Sequence, residues 1–152
     1  MDEDFSQADS GASHTYPRMA GDIKKGGYIM IKNRPCKVLD VSFSKTGKHG
    51  HSKAHFIGLD IFTNKRCEEL CPSSHNIMVP NVSRKEYQLL NIDDDDYLSL
   101  LDDDGNSKDD LQLPNDADLS FNIKKKFEEG NDDIFLTTIS AIGEEKITSM
   151  KL

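Results

Sequence analysis

The chain has 152 residues, a formal net charge of -8 and 36% hydrophobic residues, and this length suits one average domain or two small ones. The acidic balance excludes uniform coating of a nucleic acid, so any such contact must come from a local basic patch. No apolar stretch approaches the about 18 residues of a membrane span, and the acidic start MDEDFSQADS is unlike a signal peptide. We therefore expect a soluble intracellular protein.

The first half of the chain predicts a tail followed by strands. Residues 1–17 lack periodicity, which indicates a disordered acidic tail. From residue 18 to residue 80, short apolar runs are separated by turn residues such as Asn33–Pro35, and no run has helical spacing. In the run His55–Ile61, Phe56 lies on the face opposite to Ile57 and Leu59. The pattern favours a small all-β barrel with strands at Tyr28–Ile31, Cys36–Phe43 (Leu39, Val41 and Phe43 alternating), His55–Ile61 and Ile77–Val79.

The second half predicts five strands and one helix. The helix should run from Ala117 to Glu129, with Asp116 as its N-cap and Gly130 at its end. The helix falls between the third and fourth strands, which is the usual order of an OB-fold over residues 84–152. The predicted strands are Tyr87–Ile92, Tyr97–Leu101, Leu111–Leu113, Ile134–Ile142 and Lys146–Leu152.

The charge changes sign along the chain. Between Arg18 and Arg66 there are eleven basic and three acidic residues, whereas from Asn81 to the end there are eight basic and eighteen acidic ones. Such an asymmetry indicates two units with different surroundings, joined near Pro80. We therefore expect one barrel at residues 18–80 and a second domain at 84–152.

The segment Ser44–Lys53, which reads SKTGKHGHSK, should form the tip of a hairpin between two strands. Gly47 and Gly50 flank Lys48 and permit positive φ on either side of it. No acidic residue occurs between Asp40 and Asp60, so three lysines concentrate positive charge on this projection, namely Lys45, Lys48 and Lys53.

Four interpretations of this basic segment compete. A solvated basic turn is the plainest, and a phosphate-cradling P-loop fails because His49 follows Lys48 where Ser or Thr is needed. A metal site could draw on His49, His51 and His55, or on Cys67, Cys71 and His75, but no Cys-x-x-Cys pair supports it. The fourth interpretation is a probe that places an ammonium group among RNA phosphates.

The chain has three cysteines and no signal peptide, which indicates reduced thiols, with Cys36 buried.

The segment resembles the hypusine loop of the eukaryotic translation initiation factor 5A family, and the resemblance covers about residues 15–152. Two departures are mild, because Ser52 stands where alanine is common and Phe43 replaces a smaller residue. The run at Ser44–Lys53 carries the resemblance most specifically, and it continues through Gly58–Thr63, Cys71–Asn76, Val79–Asn81, Tyr97–Leu101 and Leu111–Pro114.

The resemblance implies a fold and a modification. The fold is an N-terminal SH3-like β-barrel joined to a C-terminal OB-fold β-barrel with one short helix. Lys48 occupies the position that deoxyhypusine synthase alkylates with an aminobutyl group from spermidine, after which deoxyhypusine hydroxylase adds a hydroxyl. NAD and iron belong to those enzymes, so no cofactor is expected in this chain. The resemblance assigns tRNA, ribosome and modifying-enzyme recognition to Lys45, Thr46, Gly47, His49, Gly50, His51 and Lys53.

The implied function is that of an accessory factor and not of an enzyme. It would bind the ribosome, touching rRNA beside the peptidyl-tRNA, and hold the tRNA in a productive position at slow peptide bonds such as consecutive prolines and at termination. The resemblance implies a cytoplasmic protein, permits a nuclear one, and involves no membrane. A rival class is a general RNA-binding module or chaperone with a basic loop, and the acidic second half argues against strong RNA affinity of its own.

Overall fold

The computed structural model describes residues 14–45 and 52–152. The chain divides into two compact units, of which the first ends at Val82 and also takes in Ala141–Gly143. The second holds Ser83–Ser140 and Glu144–Leu152. Both units are built mainly from β-strands, and the described part contains one α-helix. The expected mostly β, two-unit architecture is therefore confirmed.

The first unit contains a four-stranded antiparallel sheet and a separate two-stranded one. The larger sheet has the order β2-β3-β4-β5, and the smaller pairs β1 with β6. A short 3-10 turn at Ala20–Asp22 follows β1. The strands are β1 Thr15–Met19, β2 Tyr28–Ile31, β3 Arg34–Lys45, β4 Ser52–Asp60, β5 Arg66–Pro72 and β6 Asn76–Pro80.

The core of this unit lies against one face of β4. Ala54, Phe56, Gly58 and Asp60 are buried in alternation along that strand. Gly58 is needed where β3 and β4 meet, because an added Cβ would lie 3.0 Å from Cys36 Cβ and 3.0 Å from Ile31 Cδ1. The alternation predicted for this strand is confirmed, and the Phe56 face is the one that packs inside.

Two local features of β3 differ from the sequence-based expectation. The turn before it is formed by Lys32 and Asn33, with φ of 51° and 66°, so Arg34 and Pro35 already belong to the strand. Two successive residues at positive φ are typical of the two-residue hairpin turn that matches strand twist. Further along, the register shifts between Val38 and Asp40, which leaves Leu39 38% exposed. The bulge breaks the alternation expected for Leu39, Val41 and Phe43, of which Val41 packs on the core.

Two strands of the first unit were not expected. Residues 15–17, assigned above to the disordered tail 1–17, begin β1, which pairs with β6 from Thr15 opposite Pro80 to Met19 opposite Asn76. Residues 1–13 lie outside the described part. The strand β5 was also missed, because its exposed and half-buried positions carry charged residues and cysteines in place of a recognisable apolar run.

The second unit has a five-stranded sheet of order β11-β10-β7-β8-β9. Its order and the helix between the third and fourth strands confirm the OB-fold. Leu111–Leu113 is not a strand as expected; Gln112 makes an isolated bridge with Tyr97, and Ser107–Lys108 forms the third strand. The strands are β7 Ser83–Ile92, β8 Leu98–Leu101, β9 Ser107–Lys108, β10 Phe135–Ala141 and β11 Glu144–Lys151.

Glu145 joins the two edges of this sheet. Its Oε1 lies 3.2 Å from Lys108 Nζ, and because Lys108 is on β9 and Glu145 on β11, this ion pair links the two edge strands of the sheet. The other oxygen accepts hydrogen bonds from the buried Thr138 hydroxyl at 2.6 Å and the Tyr87 hydroxyl at 3.2 Å. Burial, followed by the Glu145 carboxylate, raises the pKa of Tyr87. The carboxylate thereby satisfies polar groups that the barrel interior would otherwise leave unpaired.

The helix α1 spans Ala117–Glu129, as the sequence predicts. Asp116 Oδ1 accepts a hydrogen bond from Leu119 N at 3.1 Å, and Gly130 ends the helix in the left-handed region at φ 68°. Ile123 is fully buried, with Leu119 and Phe127 packed against the same core. One face of the helix therefore covers the barrel, and local capping sets both ends.

Replacing Asp116 with alanine should lower the free energy of unfolding by about 1 kcal/mol, because the Leu119 amide loses its capping acceptor. The matched control is Asp118→Ala in the first turn, which removes a favourable charge but no cap and should cost about half as much or less. Urea unfolding of both variants measures the difference. Equal losses would show that the cap has no separate effect.

Candidate functional site

The basic segment is carried by the long hairpin of β3 and β4. The two strands remain paired up to Ser44 opposite Lys53 and Lys45 opposite Ser52. The six residues between Lys45 and Ser52 connect these ends and lie outside the described residues. They include most of the predicted site, namely Thr46, Gly47, Lys48, His49, Gly50 and His51.

The two described lysines lie on opposite faces of this hairpin. Lys45 is opposite Ser52, whereas Lys53 is opposite Ser44, and neighbouring residues of a strand alternate between faces. Both lysines are exposed, and neither forms an ion pair with any described residue. Phe43 shares the face of Lys45 and is 48% exposed. The base of the segment thus presents positive charge on both sides and an aromatic ring on one.

The base of the basic segment, where β4 begins, is hydrogen-bonded to two segments that are distant in the sequence. Ser73 N donates to Ser52 O at 2.9 Å, and the Ser73 and Ser52 hydroxyls are 2.9 Å apart. Gly21 N donates to Ser73 O at 2.9 Å, and a Cβ on Gly21 would lie 3.2 Å from that oxygen. These contacts fix the end of β4 from which the basic segment departs. Sequence reasoning missed Gly21 and Ser73, because no local pattern marks a contact over such separations.

At the other end of β4, Asp60 is buried and paired with Arg34. The Arg34 Nε–Asp60 Oδ2 distance is 2.8 Å, and Asp60 Oδ1 accepts from the backbone N–H groups of Phe62 and Thr63 at 2.8 and 3.2 Å. Burial alone would raise the pKa of Asp60. The hydrogen bonds from Arg34 and the two amides outweigh it and lower the pKa to about 2. Asp60 therefore stays charged at neutral pH, and its ion-pair partner is Arg34 and not a lysine of the hairpin.

The residues considered for a metal site do not assemble in the described ranges 14–45 and 52–152. Cys67, Cys71 and His75 form no group able to hold a metal ion, and His55 faces Glu68 with Nε2 3.4 Å from its Oε2. Cys36 is fully buried, as expected. Burial first, and then the Cys67 thiol and the Asp60 carboxylate, raise the pKa of Cys36 to about 12, so this thiol is unreactive.

No helix in the described part of the chain has the length and apolar character needed to span a membrane.

Two family models match the chain, and together they cover nearly all of the described structure. Residues 13–75 match "Translation initiation factor 5A-like, N-terminal", and residues 81–151 match "Eukaryotic elongation factor 5A hypusine, DNA-binding OB fold". The first model includes the whole basic segment, and the second corresponds to the five-stranded barrel.

Curated relatives and solved structures agree with these matches. The chain is 56% identical to eukaryotic translation initiation factor 5A-1 of Arabidopsis thaliana over 147 residues, 97% of this chain and 92% of that protein. A Naegleria fowleri translation initiation factor eif-5a family protein has 51% identity and a TM-score of 0.86, with 92% of this chain and 100% of that chain covered. The Methanococcus jannaschii eukaryotic translation initiation factor 5A has 31% identity and a TM-score of 0.70, with coverages of 91% and 96%. On these matches, the chain belongs to the eukaryotic translation initiation factor 5A family, a family of translation factors.

Proposed function

We propose that this protein binds the ribosome beside the peptidyl-tRNA and acts there through a hypusine formed at Lys48. The observation that carries the proposal is the hairpin of β3 and β4, which presents unpaired lysines on both faces where the segment containing Lys48 begins. The surrounding positive charge suits a cavity lined by RNA phosphates. The neighbours that would contact tRNA, ribosome or modifying enzymes are Lys45, Thr46, Gly47, His49, Gly50, His51 and Lys53.

The modification strengthens this contact by simple chemistry. Deoxyhypusine synthase would attach an aminobutyl group from spermidine to Lys48, and deoxyhypusine hydroxylase would add a hydroxyl. The product carries two amines and extends reach by roughly the length of a further lysine side chain, so it adds one charge for phosphate contact. A primary amine can be alkylated once deprotonated, which suits lysine and excludes arginine.

The factor would help the ribosome by positioning the tRNA and not by chemistry of its own. Holding the peptidyl-tRNA in a productive geometry removes unproductive orientations, which matters most where peptide bonds form slowly, as at consecutive prolines, and at termination. The protein would then act in the cytoplasm, with its modifying enzymes and the ribosome as partners. Residues 18–80 would carry the modified lysine, and residues 84–152 would add ribosome affinity.

The first test is the intact mass of the chain after co-expression with deoxyhypusine synthase. The proposal predicts a gain of one aminobutyl group, assigned to Lys48 in a proteolytic fragment. A chain that keeps its original mass, while a 5A family relative gains the group in the same cells, would overturn the proposal.

Removing the charges of the two lysines at the base of the basic segment should weaken ribosome binding. In Lys45→Gln and Lys53→Gln we expect about a threefold to tenfold loss of affinity each at low salt, because each lysine faces phosphates on its own side of the hairpin. The control is Lys65→Gln, an exposed lysine between β4 and β5. Cosedimentation with ribosomes measures all three, and an equal loss in the control would point to total charge and not to this hairpin.

The rival function, a general RNA-binding module or chaperone with a basic loop, predicts another result. Such a protein would bind RNA in general, and its binding to ribosomes would not change with the modification of Lys48. Eighteen acidic residues after Pro80 disfavour it, because they would repel RNA over half of the chain.

A further inference from the structure

A second basic and aromatic site lies in the first unit, apart from the residues of the hairpin. A cavity of about 520 Å³ lies among β1, the end of β6 and the turn that precedes β2. This volume falls within the range of about 300–1,000 Å³ typical of ligand-binding pockets. Its lining combines two aromatic rings, two cations, one carboxylate and an apolar floor, and includes Tyr16, Tyr28, Arg18, Lys24, Asp22 and Ile23.

The pairing of β1 with β6 directs two of these side chains. Tyr16 lies opposite Val79 and Arg18 opposite Ile77, and side chains opposite each other in an antiparallel pair lie on the same face. Val79 and Ile77 are buried, so the tyrosine ring and the guanidinium extend from the edge of the core. The Tyr16 side chain nevertheless stays 43% exposed, which leaves a ring surface available to a ligand.

The opposite wall is a turn fixed by backbone hydrogen bonds. Gly27 N donates to Lys24 O at 3.0 Å, and Gly26 N donates to Val38 O at 2.9 Å. Val38 N in turn donates to Gly27 O at 2.8 Å. The turn therefore holds Lys24 and Tyr28 at its two ends without needing a ligand, and such preorganisation lowers the ordering cost of binding.

The charges of the lining select the ligand. Neither Arg18 nor Lys24 forms an ion pair with any described residue, and Asp22 is the single carboxylate in the lining, so the cavity carries a net positive charge. Cationic ligands are disfavoured by this excess. A simple anion would use the cations but would leave the exposed ring of Tyr16 without contact.

We propose that this cavity binds an unpaired nucleotide of RNA. The base stacks on Tyr16 and Tyr28, and the phosphate lies between Arg18 and Lys24. Aromatic rings stack any base, and lysine or arginine side chains bind the adjoining phosphates. The site gives the chain an RNA contact that does not depend on Lys48 or on its modification.

The main test compares two tyrosines of matched exposure in the full chain. Tyr16 is 43% exposed and lines the cavity, whereas Tyr97 is 42% exposed in the second unit. Binding to a fluorescein-labelled, unstructured RNA octamer is followed by anisotropy. We expect Tyr16→Leu to raise Kd about tenfold and Tyr97→Leu to change it less than twofold. An unchanged Kd for Tyr16→Leu, or equal weakening by both variants, would overturn the proposal.

The salt dependence of binding tests the phosphate contact. Lys24→Gln should lower the slope of log Kd against log salt by about 0.7, the value for one phosphate contact on a single strand. Lys65→Gln, an exposed lysine outside the cavity, should leave the slope as it is in the native chain. Equal changes in both variants would mean diffuse attraction and would refute a site at Lys24.

A measurement on the unaltered chain removes any dependence on how the variants fold. Adenosine monophosphate is titrated into the isotopically labelled full chain, and amide chemical shifts are followed by NMR. The proposal predicts shifts at Lys24 and Gly27 and none at Lys45 and Lys53. Shifts confined to Lys45 and Lys53, or no shifts at millimolar nucleotide, would contradict it.

Discussion

Lys48→Arg is expected to abolish the function of the protein in cells while leaving it folded. Arginine keeps a positive charge, but its guanidinium stays protonated and cannot accept the aminobutyl group. The fold should survive, because the described core of this unit is formed by residues of its strands and of the turn after β1. Growth of cells that depend on this chain as their only 5A factor measures the effect.

The matched control is Lys65→Arg, which makes the same chemical change at an exposed, described lysine of the same unit. It should support growth like the unaltered chain. Thermal unfolding of both variants, with equal midpoints, separates lost function from lost stability. Full growth with Lys48→Arg would show that neither the lysine nor its modification is needed.

Asp60→Ala should be the most destabilising exchange of a single charged residue in the first unit. It removes the carboxylate that pairs with the Arg34 guanidinium and accepts hydrogen bonds from the amides of Phe62 and Thr63, at a site that is 3% exposed. Breaking a buried pair on one side costs about 3–5 kcal/mol, and the partial exposure of Arg34 reduces this to about 2–4 kcal/mol. Urea unfolding of the full chain measures the loss.

The control for Asp60 is Asp40→Ala, because Asp40 is exposed on β3 and should contribute less than about 0.5 kcal/mol. The pH dependence gives a second check. The pKa of Asp60 is lowered from 3.8 to about 2, so its stabilising charge is fully present above pH 3.8 and is lost as the pH falls towards 2. The stability difference between native chain and Asp60→Ala should therefore shrink across that interval. A difference that stays constant from pH 5 to pH 2 would contradict this account.

Local sequence signals were sufficient to predict the helix of the second unit. The ends of α1 at Ala117 and Glu129 follow from Asp116 and Gly130, which act within a few residues of the helix. The third strand was placed wrongly at Leu111–Leu113, because an apolar pair looked like a strand whereas Ser107–Lys108 is the pair that hydrogen-bonds to β8. Apolar content alone therefore does not identify such a short edge strand.

Features that depend on distant partners could not be predicted. The strand β1 forms because Thr15–Met19 pairs with β6, more than fifty residues later in the chain. No pattern within the five residues TYPRM predicts this pairing. The bulge beside Leu39 likewise reflects how β3 must fit β4. The turn at Lys32–Asn33 is a milder case, because asparagine tolerates positive φ and the dipeptide therefore carries a local turn signal.

The candidate site also combines features that local sequence predicts with features that depend on distant contacts. The basic segment and its glycines are contiguous, so Lys45, Lys48 and Lys53 could be singled out from sequence. The base of the segment is held by hydrogen bonds from Gly21 to Ser73 and from Ser73 to Ser52. These bonds join three separate parts of the chain, so no local pattern predicts them. The cavity beside Tyr16 and Lys24 likewise depends on strand pairing and could not be foreseen.

The most direct test is peptide bond formation at consecutive prolines in a reconstituted translation system. The chain is supplied with Lys48 modified, with Lys48 unmodified, or as Lys48→Arg, at equal concentrations. The proposed function predicts that only the modified chain accelerates the proline–proline step strongly, with a much smaller effect on a message without proline runs. Equal acceleration by the unmodified chain, or none by the modified one, would contradict the proposed role of Lys48.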